Sequence, residues 1–271
     1  MKCKTIFPKF SIANTKNVKY FNKGRYRVWH YLSDAKKIPR VFHVFEIDLT
    51  NIQKVREKSE SPNTYVCYLL KTISEVLSKE QFKHLNGHFS RIPKSKILVN
   101  TDVDIALTHE NRVNHGLDYV DLIMIRNCES KTLSEIQDFV NNSKNNLVNY
   151  SEEPSFLKSL GFHLFGKLVR KLGWLYISIK PNRFRKIWGT TSLTSTGKLG
   201  TKFSMPLSVH LVNFALGSVE EKYEFDGIKH NLCYKANLTI GYDHRAIDGA
   251  IVARLGQSIK ENLTVVNEKS C

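Results

Sequence analysis

The chain has 271 residues, 41% of them hydrophobic, enough to fill a sizeable core and too apolar for disorder as its main state. Lys or Arg interrupts every apolar stretch before the ~20 residues a bilayer span needs, and the basic start MKCKTIFPKF lacks the apolar core of an export signal, which together exclude an integral membrane protein and favour the cytoplasm. The net charge of +16 is concentrated: residues 1–40 hold 11 Lys/Arg against one acid, Asp34, and residues 154–219 hold 10 against none. Such blocks attract nucleic acid, an anionic membrane surface or a phosphate-bearing small molecule, and charge alone does not choose among them.

Strand-like and helix-like patterns alternate along the chain. Arg40 to Leu49 reads as a half-buried strand ending at Thr50. Thr64 to Leu77 places Val66, Leu69, Leu70, Ile73 and Val76 at helical spacing, with Pro62 upstream as a start signal. Ile97 to Val99, Val103 to Thr108 and Asp121 to Arg126 suit strands. A helix is expected next, opened by a capping box at Ser130 or Thr132, the latter with Glu135 three residues on. Gly189 to Thr196, Val209 to Val219 and Lys235 to Tyr242 read as three more strands, and Gly249 to Leu263 as the closing helix. With no repeat and no linker, one α/β domain is the economical reading.

Residues 155–188 stand apart because they carry no acid. Leu157, Leu160, Leu164, Leu168 and Leu172 form one helical stripe, widened by Phe165, with Lys167 and Lys171 at its edge. The stripe suits a helix packed on the domain's own core; association with lipid or with a hydrophobic substrate competes with that reading.

Five cysteines, Cys3, Cys67, Cys128, Cys233 and Cys271, form no CxxC pair and no cluster of metal-ligand spacing, so free thiols and no metal are expected. No phosphate-binding loop or dinucleotide fingerprint precedes a helix, which removes kinase and redox readings. Chemistry concentrates near the C-terminus. Leu238 to Ala250 delivers His244 from a strand into a turn, with Asp248 four residues later and Gly249 opening a helix. A histidine so placed can present one imidazole nitrogen to a substrate while the other is fixed locally, the geometry of a general base. As bare chemistry, a structural His–Asp pair is the commoner outcome.

HRAIDG, His244 to Gly249, resembles the HxxxDG motif of chloramphenicol acetyltransferases and of the catalytic cores of the dihydrolipoamide acyltransferases of 2-oxo acid dehydrogenase complexes. Ile38 to Ile52, Val103 to Glu110, Met124 to Ile136 and Gly189 to Gly197 are similar to further segments of that family, in its order, so the resemblance covers roughly residues 25–265. It implies a chloramphenicol acetyltransferase-like two-layer α/β sandwich, a mixed sheet covered by helices. It divides the chain into a basic segment, 1–24, a catalytic domain, 25–265, carrying the basic apolar insertion at 155–188, and a tail, 266–271. It makes His244 the base, Asp248 the residue that holds the base and its loop, and Thr194 the hydroxyl that stabilises the oxyanion. Ser192 and Thr196 share a strand face with Thr194 and compete for that role, whereas Ser195 points the other way. Arg25 or Arg27 is the counterpart of an arginine that steadies the acid.

The implied activity is transfer of an acyl group from acyl-CoA to a small or lipidic thiol, hydroxyl or amine acceptor, by a homotrimer. This length leaves no room for a lipoyl domain, so a lipoyl group is expected only in trans, and a lipoyl-dependent transferase is the alternative enzyme. A non-catalytic trimeric scaffold bound to membrane or protein is the alternative outside enzymes, while nucleic-acid binding finds no recognisable reading element.

Overall fold

The computed structural model describes residues 23–90, 94–111, 119–146, 172, 176 and 181–266. Six α-helices are labelled here: α1 (Lys23–Ala35), α2 (Thr50–Glu57), α3 (Tyr65–Ser78), α4 (Leu133–Asn146), α5 (Pro181–Trp188) and α6 (Gly249–Thr264). Nine strands accompany them: β1 (Arg40–Asp48), β2 (Gly87–Ser90), β3 (Lys96–Val99), β4 (Ile105–Asn111), β5 (Tyr119–Ile125), β6 (Thr191–Ser195), β7 (Val212–Leu216), β8 (Glu220–Phe225) and β9 (His230–Asp243). β2 and β3 form a small antiparallel ladder. The rest make one mixed sheet in the order β1-β9-β7-β6-β4-β5, with β8 also on β9. Among the described strands, only the β7–β6 and β6–β4 pairs are parallel. This mixed sheet with helices on it is the α/β architecture the motifs imply.

Period-two patterning sets the inner face. Ala236, Leu238, Ile240 and Tyr242 of β9, Val212, Phe214 and Leu216 of β7, Leu193 of β6 and Ile105 and Leu107 of β4 all join one buried cluster. Ile73, Val76 and Leu77 of α3 and Val252, Leu255 and Ile259 of α6 complete it at helical spacing. α6 lies so close to β1 that a Cβ on Gly256 would meet Phe45 Cζ at 2.3 Å, so only glycine fits there. At α4, Thr132 and Glu135 close the expected capping box: Glu135 N–H donates to Thr132 Oγ1 (3.2 Å) and Thr132 N–H to Glu135 Oε2 (2.7 Å).

β8 continues the line of β7 along β9 with a slip of one residue. Leu216 stands opposite Leu238, but Glu220 stands opposite Lys235. Tyr223 and Phe225 therefore share the sheet face of Leu232 and Tyr234, and Glu220, Lys222 and Glu224 share that of Lys235, which bonds Glu224.

Of the expected apolar stripe, Leu157, Leu160, Leu164 and Leu168 lie outside the described residues, and Leu172 is 56% exposed. α5 falls at the end of the expected insertion. Pro181 opens it, and Phe184 and Trp188, four apart, pack with Ala35, Val209 and Tyr31.

Candidate active site

β9 ends in a turn built around Asp243. Its carboxylate is buried and accepts from Arg245 Nε (2.8 Å) and Nη2 (2.6 Å), while its carbonyl accepts from the Ala246 and Ile247 N–H groups, both at 3.1 Å. His244 is fixed at its backbone, its N–H donating to Pro39 O at 3.0 Å, and its ring stands edge-on to Tyr242 with centroids 5.5 Å apart. The ring remains 46% exposed. Below it, the Tyr242 hydroxyl meets His43 Nε2 at 3.3 Å, and burial first, then the negative Asp248, pushes the Tyr242 phenol above its ordinary pKa.

Asp248 holds the imidazole loosely. Its Oδ1 is 3.9 Å from His244 Nδ1, beyond a hydrogen bond, and its side chain is 93% exposed. It stands at the N-cap of α6 in extended conformation, without a side-chain cap bond. The turn and Tyr242, more than Asp248, set the position of His244, and the imidazole's Nε2 is the nitrogen turned away from the carboxylate.

Thr194 lies on β6 opposite Ala215, half-buried, on the face away from the helices because its neighbour Leu193 is in the core. Its two competitors fare differently. Ser192 is enclosed: its Oγ lies 3.5 Å from Ser208 Oγ, which also bonds His210 Nδ1 (2.7 Å) and the Tyr31 hydroxyl (3.1 Å). Thr196 falls just past the strand, its hydroxyl buried with no partner. Of the three, Thr194 is the one that lies within the strand and is partly exposed.

The register keeps Thr194 and His244 apart in one chain. Ala215 pairs with both Thr194 and Thr239, so these three form one row across the sheet. His244 is five residues past Thr239, about 16 Å along the strand and two strands over. Arg25 also stays away, because α1 packs against β5, at the opposite edge of the sheet from β1. The Arg27 side chain is outside the described residues.

Charged groups that periodicity did not single out brace the surroundings. Asp104, 1% exposed, accepts from Arg185 Nε (2.7 Å), Arg126 Nη1 (2.8 Å) and the Asn127 N–H (2.9 Å). Burial works to raise its pKa, but these hydrogen bonds outweigh burial and hold the carboxyl below its ordinary range. Arg185 also bonds Asp102 at 2.8 Å, and the Asp104 carbonyl takes the Thr190 N–H at 2.8 Å. Gly189 (φ +79°) runs so close that a Cβ there would meet Asp104 O at 2.7 Å. The chain therefore enters β6 clamped. On the far side, Arg40 donates to Asn213 Oδ1 (2.5 Å), Ser208 O (2.8 Å) and His210 O (2.5 Å), and burial lowers its pKa to about 10. An acid between Val103 and Ile105, inside an apolar strand pattern, was the available signal for Asp104.

The three comparisons with known proteins agree. The sequence profile of the 2-oxoacid dehydrogenases acyltransferase (catalytic domain) family matches residues 13–154. The chain is 26% identical over 240 residues to the lipoamide acyltransferase component of the mitochondrial branched-chain alpha-keto acid dehydrogenase complex of Arabidopsis thaliana; the match covers 84% of this chain and 41% of that protein. The chain thus spans less than half the length of this relative. In fold it is similar to a probable dihydrolipoamide acetyltransferase from Listeria monocytogenes, with a TM-score of 0.70, 17% identity and coverage of 93% of this chain and 96% of that one. The dihydrolipoamide acetyltransferase of Azotobacter vinelandii, studied for the catalytic role of one serine, one histidine and one asparagine, has a TM-score of 0.65 at 16% identity, with coverage of 96% and 97%.

Proposed function

The chain belongs to the family of 2-oxoacid dehydrogenase acyltransferase catalytic domains, and from that premise we propose that it moves an acyl group from a CoA thioester to a thiol, hydroxyl or amine acceptor. The observation that carries the reading is His244, backbone-fixed at the end of β9 with its ring half open to solvent. The acceptor's X–H attacks the thioester carbonyl, forming the X–C bond, and His244 Nε2 takes the proton. The oxyanion is held by the Thr194 hydroxyl, a donor of the kind worth ~3 kcal/mol in such a site. Collapse breaks the C–S bond, and the imidazolium returns its proton to the CoA thiolate.

The sheet register supports a site shared between copies. His244 of one copy meets Thr194 of the next, and a closed threefold ring supplies three such sites. Thr194 here stands in for the serine, and Asp248 for the asparagine, of the Azotobacter vinelandii protein.

A second enzymatic reading draws on the Arabidopsis thaliana relative, whose name specifies lipoamide: the acceptor is then dihydrolipoamide on a lipoyl domain supplied in trans. Incubating the protein with a panel of acyl-CoAs and each acceptor, and following free CoA and the acylated acceptor by chromatography, tests both. Turnover with hydroxyl or amine acceptors and none with dihydrolipoamide supports the first, and turnover only with dihydrolipoamide supports the second. No release with any pair refutes acyl transfer from CoA.

A further inference from the structure

β1 carries one polar side chain in an apolar row. Val41, His43, Phe45 and Ile47 alternate onto the face that looks toward α6; Ile47 is buried in the core, and Val41 and Phe45 pack against it. His43 breaks this row and is half-buried. A polar group on such a face is tolerated where it finds a partner, and His43 finds one on β9. Tyr242 pairs with Val41, and its hydroxyl reaches diagonally to His43 Nε2 at 3.3 Å.

The pair lies under both ends of the HRAIDG turn. The Tyr242 ring stands edge-on to His43 on one side, with centroids 5.3 Å apart, and to His244 on the other, at 5.5 Å. Gly249, the last residue of the turn and the first of α6, roofs the polar end. A Cβ there would come 3.0 Å from the Tyr242 hydroxyl and 3.2 Å from His43 Cε1. The Asp248 carboxylate, at 3.9 Å, is beyond a hydrogen bond to the His244 ring, and the bond from His244 N–H to Pro39 O fixes backbone rather than imidazole. The direction of the imidazole therefore depends on the tilt of the Tyr242 ring, and that tilt is tied at its far end by His43.

We propose that His43 is a positioning residue for His244, acting through Tyr242: the hydroxyl–imidazole bond fixes the phenol, and the edge of the phenol fixes the candidate base. The proposal rests on the reading of His244 as the base. A packing role would accept any ring at position 43, whereas positioning demands a polar atom there.

The test compares His43→Phe, which keeps a ring and removes the polar atom, with His43→Gln, whose amide reaches about as far as Nε2 and both donates and accepts. Tyr242→Phe removes the other half of the bond. Cross-relaxation between the ring protons of residue 242 and His244 is read by NMR, with the His244 signals assigned by their absence in His244→Ala. It is expected to persist in the parent and in His43→Gln and to fall in His43→Phe and Tyr242→Phe, with melting temperatures near the parent's. Acyl-transfer turnover is expected to drop about tenfold in each Phe variant at unchanged KM for acyl-CoA, no further in the double variant, and to recover in His43→Gln. Parental cross-relaxation in His43→Phe overturns the proposal, as does a His43→Gln variant as impaired as His43→Phe, or a double variant whose loss is the product of the two single losses. Should His43→Phe misfold, Tyr242→Phe, which adds no atoms, decides in its place. A parent with no acyl transfer sinks the acyl-transfer reading, and the ring measurement then decides this one alone.

Discussion

Asp104 and Asp248 are both aspartates beside a basic group at a strand end, and they are built in opposite ways. Asp104 is sealed, with two guanidiniums and a backbone N–H on its carboxylate. Asp248 stands in solvent, 3.9 Å from its histidine. A buried carboxylate is tolerated only when its oxygens are satisfied, so the first arrangement must be rigid. Under the proposed function, an imidazole that shuttles protons must exchange them with a substrate, and the second arrangement is open enough for that. The same residue types thus serve architecture at the entry to β6 and, in the function proposed above, chemistry at the exit from β9.

The largest expected effect breaks the open end. His244→Ala lowers acyl-transfer turnover by at least ~10²-fold with the melting temperature unchanged; unchanged turnover of the folded variant would remove the mechanism. Thr194→Ala also costs on the order of 10²-fold in turnover, and Thr194→Ser restores most of it. Should Thr194→Ser be as impaired as Thr194→Ala, the hydroxyl is not what matters. Ser192→Ala, by contrast, disturbs the buried Ser208 and His210 group, and its effect belongs in stability.

The sealed end breaks the other way. Asp104→Ala leaves Arg126 and Arg185 without their shared partner, and because both reach solvent the loss is about 3 kcal/mol rather than the upper range for a broken buried pair. Urea unfolding measures it. A full-strength melting transition in this variant would show the clamp to be dispensable.

Acidification separates the two regions further. Burial pushes the His210 pKa down to about 4, with His210 Nε2 2.7 Å from Trp188 O. The unfolded chain titrates near 6.5 and so binds a proton that the folded chain refuses. The stability from this group is complete above about pH 6.5 and is lost as pH falls toward 4, by an amount on the order of 3 kcal/mol. Urea midpoints between pH 7.5 and 4.5 should therefore fall in the parent and fall less steeply in His210→Gln. Parallel curves would place the sensitivity elsewhere. The smallest effect is at Asp248: Asp248→Asn should change turnover less than about tenfold, because the exposed carboxylate makes no hydrogen bond to the ring. A loss equal to that of His244→Ala would mean that assembly or substrate closes the 3.9 Å gap.

Periodicity made the elements with one well-buried face readable. β1, α3, β5 and α6 lie within a few residues of where their apolar spacing put them. α2 was missed because TNIQKVRE buries only Ile52, and β8 because EEKYEF shows no buried side chain. At the candidate site, the motif gave His244, Asp248 and Thr194 as residues but said nothing of their separation. That separation follows from the pairing of Thr194 with Ala215 and of Ala215 with Thr239, which is long-range register and leaves no local mark in sequence. Nor did spacing distinguish Ser192 from Thr194, since enclosure of Ser192 comes from Ser208, sixteen residues away.

The one-residue slip between β7 and β8 works as slack in the joint between two registers. From Leu216 to Glu220 is four steps, whereas from Leu238 to Lys235 is three along β9, so one residue is taken up between the two strands. The pairing of β8 with β9 is closed by their own turn, where the Asp226 N–H donates to Lys229 O. Remove one residue between Leu216 and Glu220 and the slack is gone with Glu220 still opposite Lys235, so Tyr223 and Phe225 keep their faces and Lys235 keeps Glu224. The aromatic side of the hairpin is thus insulated from the length of the segment that leads into it.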